Sequence, residues 1–151
     1  MFKEKTFLSF IGARGSSQGL KDKNILDFAG QPMIVWTIQA SLKSKYVDRT
    51  LVSTDSPRIA DIAKMAGADV PFLRPAYLAE DHSSIYDAIR HGLDWLESVE
   101  KVSYDYVILL MPTSPLRTCQ HIDEAIEYYF RHRKSLQDTL VSVKKAPPYV
   151  G

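Results

Sequence analysis

Hydrophobic and polar positions follow two rhythms along this chain, and each rhythm predicts a different element. The first is a short apolar run, which is typical of a strand buried on both faces of a sheet. Such runs occupy residues 7–11, 49–53 and 106–111. A weaker run at 69–73 predicts a short or edge strand, because Pro71 cannot donate to a ladder. A last run at 140–143 predicts one more strand.

The second rhythm places apolar residues three or four positions apart, which predicts helices that bury one face. It occurs at residues 31–45, 57–66, 85–96 and 122–133. Ser56 is a predicted N-cap followed by Pro57 at the first helical position, and Gly67 ends that helix. Ser84, with Asp87 three residues later, predicts a variant of the capping box.

Strands that alternate with helices predict an α/β fold, a Rossmann-like three-layer sandwich with a mostly parallel sheet and right-handed crossovers. In such folds ligands bind beyond the carboxyl ends of the strands. The segments expected at that edge are residues 12–24, 54–55 and 111–118. We therefore expect these segments to lie close together around a ligand.

The chain has 151 residues, which predicts a single domain over 1–151 or a part of one. Its formal net charge is +1, which argues against a general nucleic-acid or membrane-surface role and favours a small-molecule partner. Cys119 is the only cysteine, so an intrachain disulfide is impossible and a reducing, cytoplasmic setting is expected. No apolar run approaches the roughly 20 residues that a membrane helix needs.

The loop after the first strand is rich in glycine, serine and cations. Gly12, Gly15 and Gly19 permit close backbone approach to a ligand, Ser16 and Ser17 add donors, and Arg14, Lys21 and Lys23 add positive charge. This composition suits a polyanion such as a nucleoside triphosphate. It is neither a Walker A loop, since Leu20 follows Gly19, nor a G-x-G-x-x-G fingerprint. The alternative is a flexible surface loop with solvated charges.

Segments in chain order resemble those of the acylneuraminate cytidylyltransferases, which make CMP-sialic acid. They are Ala13-Arg-Gly-Ser-Ser-Gln-Gly-Leu-Lys-Asp-Lys-Asn24, Val52-Ser-Thr-Asp55, Phe72-Leu-Arg-Pro75, Leu78-Ala-Glu-Asp81 and Leu109-Leu-Met-Pro-Thr-Ser-Pro-Leu-Arg-Thr118. Sister enzymes for legionaminic, pseudaminic and 3-deoxy-octulosonic acids share much of this pattern. The resemblance implies the nucleotide-diphospho-sugar transferase type of fold and a dimer.

The resemblance also implies the reaction and the residues that carry it. The anomeric hydroxyl of a nine-carbon keto-sugar acid attacks the α-phosphorus of CTP and releases pyrophosphate, assisted by Mg²⁺. Arg14 and Lys23 are the implied catalytic residues, and Ser84 is implied to meet the base. The alternative is that Ser84 is only an N-cap, although one serine can serve both roles. The implied nucleotide-binding residues are Ala13, Arg14, Gly15, Ser16, Ser17, Gln18, Gly19, Lys23, Asn24, Arg74, Ser84, Met111, Pro112 and Thr113.

Three departures from the family pattern bear on activity. Gln18 stands where the family usually has a lysine or arginine, and Met111 where it usually has a glutamine. The family continues past the equivalent of Gly151 with an acidic pair for the metal, whereas this chain has no Asp-x-Asp, so we expect a truncated domain without identifiable metal ligands. The alternatives are a non-catalytic nucleotide-binding or interaction module and a sugar 1-phosphate nucleotidyltransferase.

Several other polar residues have structural explanations. The histidines lack metal-ligand spacing and are predicted to be surface or cap residues: His82, His91, His121 and His132. Asp55 is either a ribose ligand or a turn residue. Arg74 either reaches the substrate pocket or pairs with Glu80 or Asp81. The aromatic residues 128–130 are expected to divide between the core and a partner interface.

Overall fold

The computed structural model describes residues 1–16 and 22–143. Its strands are β1 (Phe7–Gly12), β2 (Asp27–Phe28), β3 (Gln31–Pro32), β4 (Arg49–Ser53) and β5 (Tyr106–Leu110). Its helices are α1 (Met33–Lys43), α2 (Pro57–Met65), α3 (Ile85–Trp95) and α4 (Cys119–His132). Short helical turns lie at Lys23–Ile25 and Ala76–Leu78, and a π-helical turn at Leu96–Glu100 extends α3. Most predicted elements are therefore confirmed.

The main sheet is three-stranded and parallel, in the order β4-β1-β5. Phe10 at its centre lies opposite Leu51 on one side and Leu109 on the other. The chain runs from β1 to its neighbour β4, then returns past β1 to reach β5. The carboxyl ends of β1 and β5 thus flank the point where the strand order reverses, the usual place for a ligand in open α/β sheets.

The core lies in two layers, one on each face of this sheet. Alternate residues of β1 serve the two faces, because side chains along a strand point in opposite directions. Phe7 and Ile11 pack with α1, α2 and α4, whereas Leu8 and Phe10 pack with α3. This arrangement confirms the α/β sandwich. None of the helices within the described ranges is long and apolar enough to cross a membrane.

The predicted helix starts are mostly confirmed. The Ser56 hydroxyl accepts from the amide of Ile59 at 3.3 Å, and the Ser84 hydroxyl accepts from that of Tyr86 at 3.1 Å. The second hydrogen bond of the capping box predicted at Ser84, from the Ser84 amide to the Asp87 side chain, does not form. A capping box is found instead at α4, where the hydroxyl of Thr118 and Nδ1 of His121 each accept from the other residue's amide.

Two predicted strands are wrong. At 69–73 only Asp69 bridges to β4, with its carbonyl accepting from Val52, because Pro71 has no N–H to continue the ladder. Residues 140–143 are irregular and Val143 is 86% exposed; among the described residues no strand pairs with them, so their β-propensity alone is insufficient. The small hairpin of β2 and β3 was not predicted.

The histidines and the aromatic run have mixed outcomes. His82 is exposed beside Glu80, His121 caps α4, and His132 stacks on Tyr128 at the surface, as predicted. His91 is instead half-buried, edge-on to the Phe72 ring at 4.8 Å, so its prediction as a surface or cap residue is wrong. In the run 128–130, the last residue packs against the core and the first is half exposed.

Candidate functional site

A cleft of about 190 Å³ opens at the point where the strand order reverses. It lies between the segment that leaves β1 and the segment that leaves β5. Its lining residues are Gly12, Arg14, Lys23, Asn24, Arg74, Ile85, Met111, Pro112 and Thr113. Residues from distant parts of the sequence are thus brought to the edge of the sheet where we expected a ligand.

Most of the predicted nucleotide-binding residues in the described part of the chain line this cleft. They are Arg14, Lys23, Asn24, Arg74, Met111, Pro112 and Thr113. Ala13, Gly15 and Ser84 are adjacent to lining residues in the chain and Ser16 lies two positions from Arg14, but none of the four is part of the lining. Ser17, Gln18 and Gly19 lie outside the described residues, as does Lys21. Gly12, one of the glycines predicted to approach a ligand closely, also lines the cleft, whereas Ile85 lines it without having been predicted.

Arg14 is held at the cleft by the loop that follows residue 75. Its Nη1 donates to Oδ1 of Asp81 at 3.2 Å and, over a longer distance of 3.4 Å, to the carbonyl of Ala79. The arginine side chain is 28% exposed and the aspartate 58%. Asp81 therefore pairs with Arg14, and the predicted alternative in which it pairs with Arg74 is wrong; Glu80 contacts His82.

Arg74 is a buried cation in the cleft wall. It is 4% exposed, and its guanidinium donates to the Ser53 hydroxyl at 2.9 Å, the Ser53 carbonyl at 2.8 Å and the Leu78 carbonyl at 3.3 Å. Burial lowers the pKa of Arg74, Asp55 opposes that change, and the nearby cation Arg14 adds to it. Arg74 ties the loop after residue 75 to the end of β4, so it supports one wall of the cleft.

The start of the glycine-rich loop is braced by side chains from other segments. Asp55 Oδ1 accepts from the Gly15 amide at 2.8 Å, and the buried Asn24 donates through Nδ2 to the Arg14 carbonyl at 3.1 Å. A Cβ at Gly15 would lie 2.9 Å from Cβ of Ser56, so only glycine permits this approach. Asp55 therefore acts as a turn and brace residue in this structure.

Comparison with known proteins places the chain in a family. The cytidylyltransferase family matches residues 8–147. The chain belongs to the cytidylyltransferase family. The N-acylneuraminate cytidylyltransferase of Escherichia coli O18:K1:H7 is 38% identical to it over 122 residues, covering 81% of this chain and 28% of that protein. The CMP-N,N'-diacetyllegionaminic acid synthase of Legionella pneumophila is 41% identical over 122 residues, covering 81% and 52%.

A solved structure supports the fold and the family. This cytidylyltransferase chain superposes on CMP:2-keto-3-deoxy-manno-octonic acid synthetase, determined in complex with CTP, with a TM-score of 0.67 at 25% identity. The match covers 85% of this chain and 48% of that one. The chain thus spans about half the length, or less, of these relatives. Both the family resemblance and the Rossmann-like fold are confirmed.

The carboxylates near the cleft do not cluster as metal ligands among the described residues. Among residues 1–16 and 22–143, no group of three His, Cys, Asp or Glu side chains is placed to hold a metal ion. The carboxylates close to the cleft already have partners, since Asp55 accepts from Gly15 and Asp81 pairs with Arg14. The cleft's own side chains favour an anion, because Arg14, Lys23 and Arg74 all line it and no carboxylate does.

Part of the lining of this cytidylyltransferase cleft is apolar. Met111 is 44% exposed and lines the cleft, followed by the buried Pro112 and the exposed Thr113. A thioether accepts hydrogen bonds only weakly, so Met111 offers contact area and little polar recognition. Ile85, the first residue of α3, adds a second apolar surface. Its place next to the N-cap Ser84 was the sequence signal that could have identified it.

Proposed function

We propose that this chain provides the CTP-binding part of an enzyme that transfers CMP from CTP to the anomeric hydroxyl of a nonulosonic acid and releases pyrophosphate. The observation that carries the proposal is the cleft in which Arg14, Lys23 and Arg74 converge from separate segments. Relatives named for CMP-sugar-acid synthesis and a structural relative solved with CTP support it. The sugar acid is of the sialic type in this proposal.

The reaction joins the anomeric oxygen to the α-phosphorus while the bond from that phosphorus to the β-phosphate bridging oxygen breaks. Pyrophosphate departs with the electron pair of that bond, and the hydroxyl proton passes to solvent. Such transfers depend on positioning and charge neutralisation more than on covalent chemistry by the protein. Arg14 and Lys23 supply positive charge beside the glycine-rich loop, where the triphosphate is expected to bind.

The nucleoside is assigned to the apolar part of the cleft lining. Ile85 and Met111 offer apolar contact to a base or ribose, and Thr113 offers a hydroxyl and a backbone carbonyl. The cleft volume of about 190 Å³ is below the usual range for a whole ligand, roughly 300–1,000 Å³. The described cleft therefore accommodates part of the nucleotide, and the phosphates extend toward the loop at Gly15.

The remaining expectations stay part of this proposal. They are Mg²⁺ as the assisting ion, a dimer as the working form, a cytoplasmic location, and no nucleic-acid or membrane partner. The names of the relatives support the choice of CTP and of a sugar acid as substrates. The metal and the dimer come from the resemblance in the sequence. No step of the proposed mechanism within this chain depends on either of them.

The nucleotide assignment is tested by thermal unfolding with CTP, UTP, ATP or GTP, each with Mg²⁺. A ligand at 100 times its Kd stabilises a protein by about 2.7 kcal/mol, which for this length raises Tm by roughly 5–10 °C. We expect such a rise with CTP and a much smaller one with purine nucleotides. Lys23→Met should reduce the CTP shift, whereas the matched variant Lys64→Met, on the exposed side of α2, should leave it unchanged. Equal shifts with all nucleotides would contradict the cytidylyl assignment.

The catalytic part of the proposal needs a separate assay. Pyrophosphate release from CTP and N-acetylneuraminic acid, followed over time, distinguishes a catalytic chain from a nucleotide-binding module. Sustained release excludes the inactive module, and CTP binding without release favours it. Release with a hexose 1-phosphate in place of the keto-acid would support the sugar 1-phosphate nucleotidyltransferase instead.

A further inference from the structure

We propose that Asp81 is a positioning residue that orients Arg14 for the triphosphate, an inference that rests on the function proposed above. Asp81 is not among the residues that line the cleft, so it acts through Arg14. The two residues are 67 positions apart in the sequence and meet through an Nη1 to Oδ1 contact of 3.2 Å. The same nitrogen approaches the Ala79 carbonyl at 3.4 Å.

The loop that carries Asp81 is itself held in place. Leu78 and Ala79 are buried, at 9% and 4% exposure. The Ser83 hydroxyl donates to the Tyr77 carbonyl at 2.6 Å, and the Ser83 amide donates to the Glu80 carbonyl at 3.0 Å. Arg74 donates to the Leu78 carbonyl, which ties this loop to β4. Asp81 is therefore presented from a closed and anchored turn.

The contact with Asp81 leaves most of the Arg14 N–H groups available to donate to a ligand. Both contacts use Nη1, and no hydrogen bond from Nε or Nη2 is formed to any other described residue. An unrestrained arginine loses considerable rotamer freedom when it binds a ligand. A carboxylate that holds one nitrogen removes part of that freedom beforehand while the remaining N–H groups can donate to phosphate oxygens. Preorganisation of this kind strengthens binding.

The stability of the fold does not explain the pair. Asp81 is more than half exposed, and ion pairs so exposed contribute little to folding stability. A second pair on the same loop joins Glu80 to His82 at 3.1 Å; its carboxylate is 52% exposed, close to the 58% of Asp81, and neither residue lines the cleft. It provides a matched control, because Glu80→Gln removes a neighbouring carboxylate charge without affecting Arg14.

The test measures the Kd for CTP by titration calorimetry in the 151-residue chain and in four variants. These are Asp81→Asn, Glu80→Gln, Arg14→Met and the double variant Asp81→Asn/Arg14→Met. We expect Asp81→Asn to weaken CTP binding by roughly five-fold and Glu80→Gln to leave it unchanged. In the Arg14→Met background, Asp81→Asn should have no further effect, since its influence passes through Arg14.

An equal effect of Asp81→Asn in both backgrounds would overturn the proposal, and so would tighter CTP binding, which would show that Asp81 competes with the phosphates. A second readout needs no nucleotide. Relaxation of the Arg14 Nε–H signal in ¹⁵N NMR should show a more mobile side chain in Asp81→Asn but not in Glu80→Gln. If the unmodified chain fails to bind CTP, the proposed function fails, while this measurement still supports or refutes the orienting contact.

Discussion

The clearest test of the site compares two serines that begin helices in the same way. Ser84 caps α3 and Ser56 caps α2, each through a hydroxyl that accepts from a backbone amide of the first turn, at 3.1 and 3.3 Å. Ser84 adjoins Ile85 in the cleft wall, and the family resemblance implies that it meets the base. Ser84→Ala should therefore affect both folding and CTP binding, whereas Ser56→Ala should affect folding alone.

The expected magnitudes follow from the contacts that each change removes. Loss of an N-cap hydroxyl costs about 1 kcal/mol, which lowers Tm by roughly 2–4 °C in a chain of this length. Both variants should show that loss. The alanine at position 56 keeps the Cβ that faces Gly15, so the loop is not disturbed. A hydrogen bond from Ser84 to the base contributes about 1 kcal/mol more, which corresponds to a roughly five-fold weaker CTP affinity.

Thermal unfolding of both variants measures the change in Tm, and titration calorimetry measures the change in CTP affinity. Ser84→Thr serves as a third variant, because threonine keeps a hydroxyl that can cap the helix and bind the base. Unchanged CTP affinity in Ser84→Ala, with the expected fall in Tm, would show that Ser84 is a cap only and refute the base contact. Equal losses of affinity in Ser84→Ala and Ser56→Ala would show that the effect arises from helix stability.

Three further changes test other parts of the structure. In Gly12→Ala the new Cβ would lie 3.1 Å from Nη2 of Arg74, which is fixed by hydrogen bonds, so we expect destabilisation by about 1–3 kcal/mol in urea unfolding. Hydrogen bonds from Thr6 lower the pKa of Asp105 below the ordinary 3.8. The Asp105 carboxylate therefore stabilises the fold above pH 3.8, and this stabilisation is lost as the pH falls through the lowered pKa. Asp105→Asn should lower Tm at neutral pH, and its difference in Tm from the unmodified chain should disappear in acid. Met111→Gln adds hydrogen-bonding groups to the cleft wall and should tighten CTP binding roughly three-fold in titration calorimetry.

Some features of this protein could be predicted because they depend on short-range patterns and on one topological rule. Apolar runs and helical spacing identified the sheet and its helices, and the small, polar residues after β1 and β5 marked the loops. Parallel strands bring their carboxyl ends to one edge. That rule is sufficient to place Arg14 and Lys23 near Met111 without any knowledge of side-chain contacts.

Other features depended on the packing of distant segments. The partner of Arg14 is Asp81, and the buried position of Arg74 under the Leu78 carbonyl follows from how one loop folds onto β4. The run at 140–143 has strand propensity but no paired neighbour in the described chain, so it stays irregular.

The amino-acid sequence by itself determined the α/β architecture, because periodicity and loop composition are local properties. The family and most of the residues that line the cleft followed from the resemblance of its motifs to those of the cytidylyltransferases. Only the tertiary structure decided that Arg14 meets Asp81, that Arg74 is buried against carbonyl groups, and which cations line the cleft. Ion pairing depends on three-dimensional distance and on burial, and two residues 67 positions apart carry no local signal of their contact.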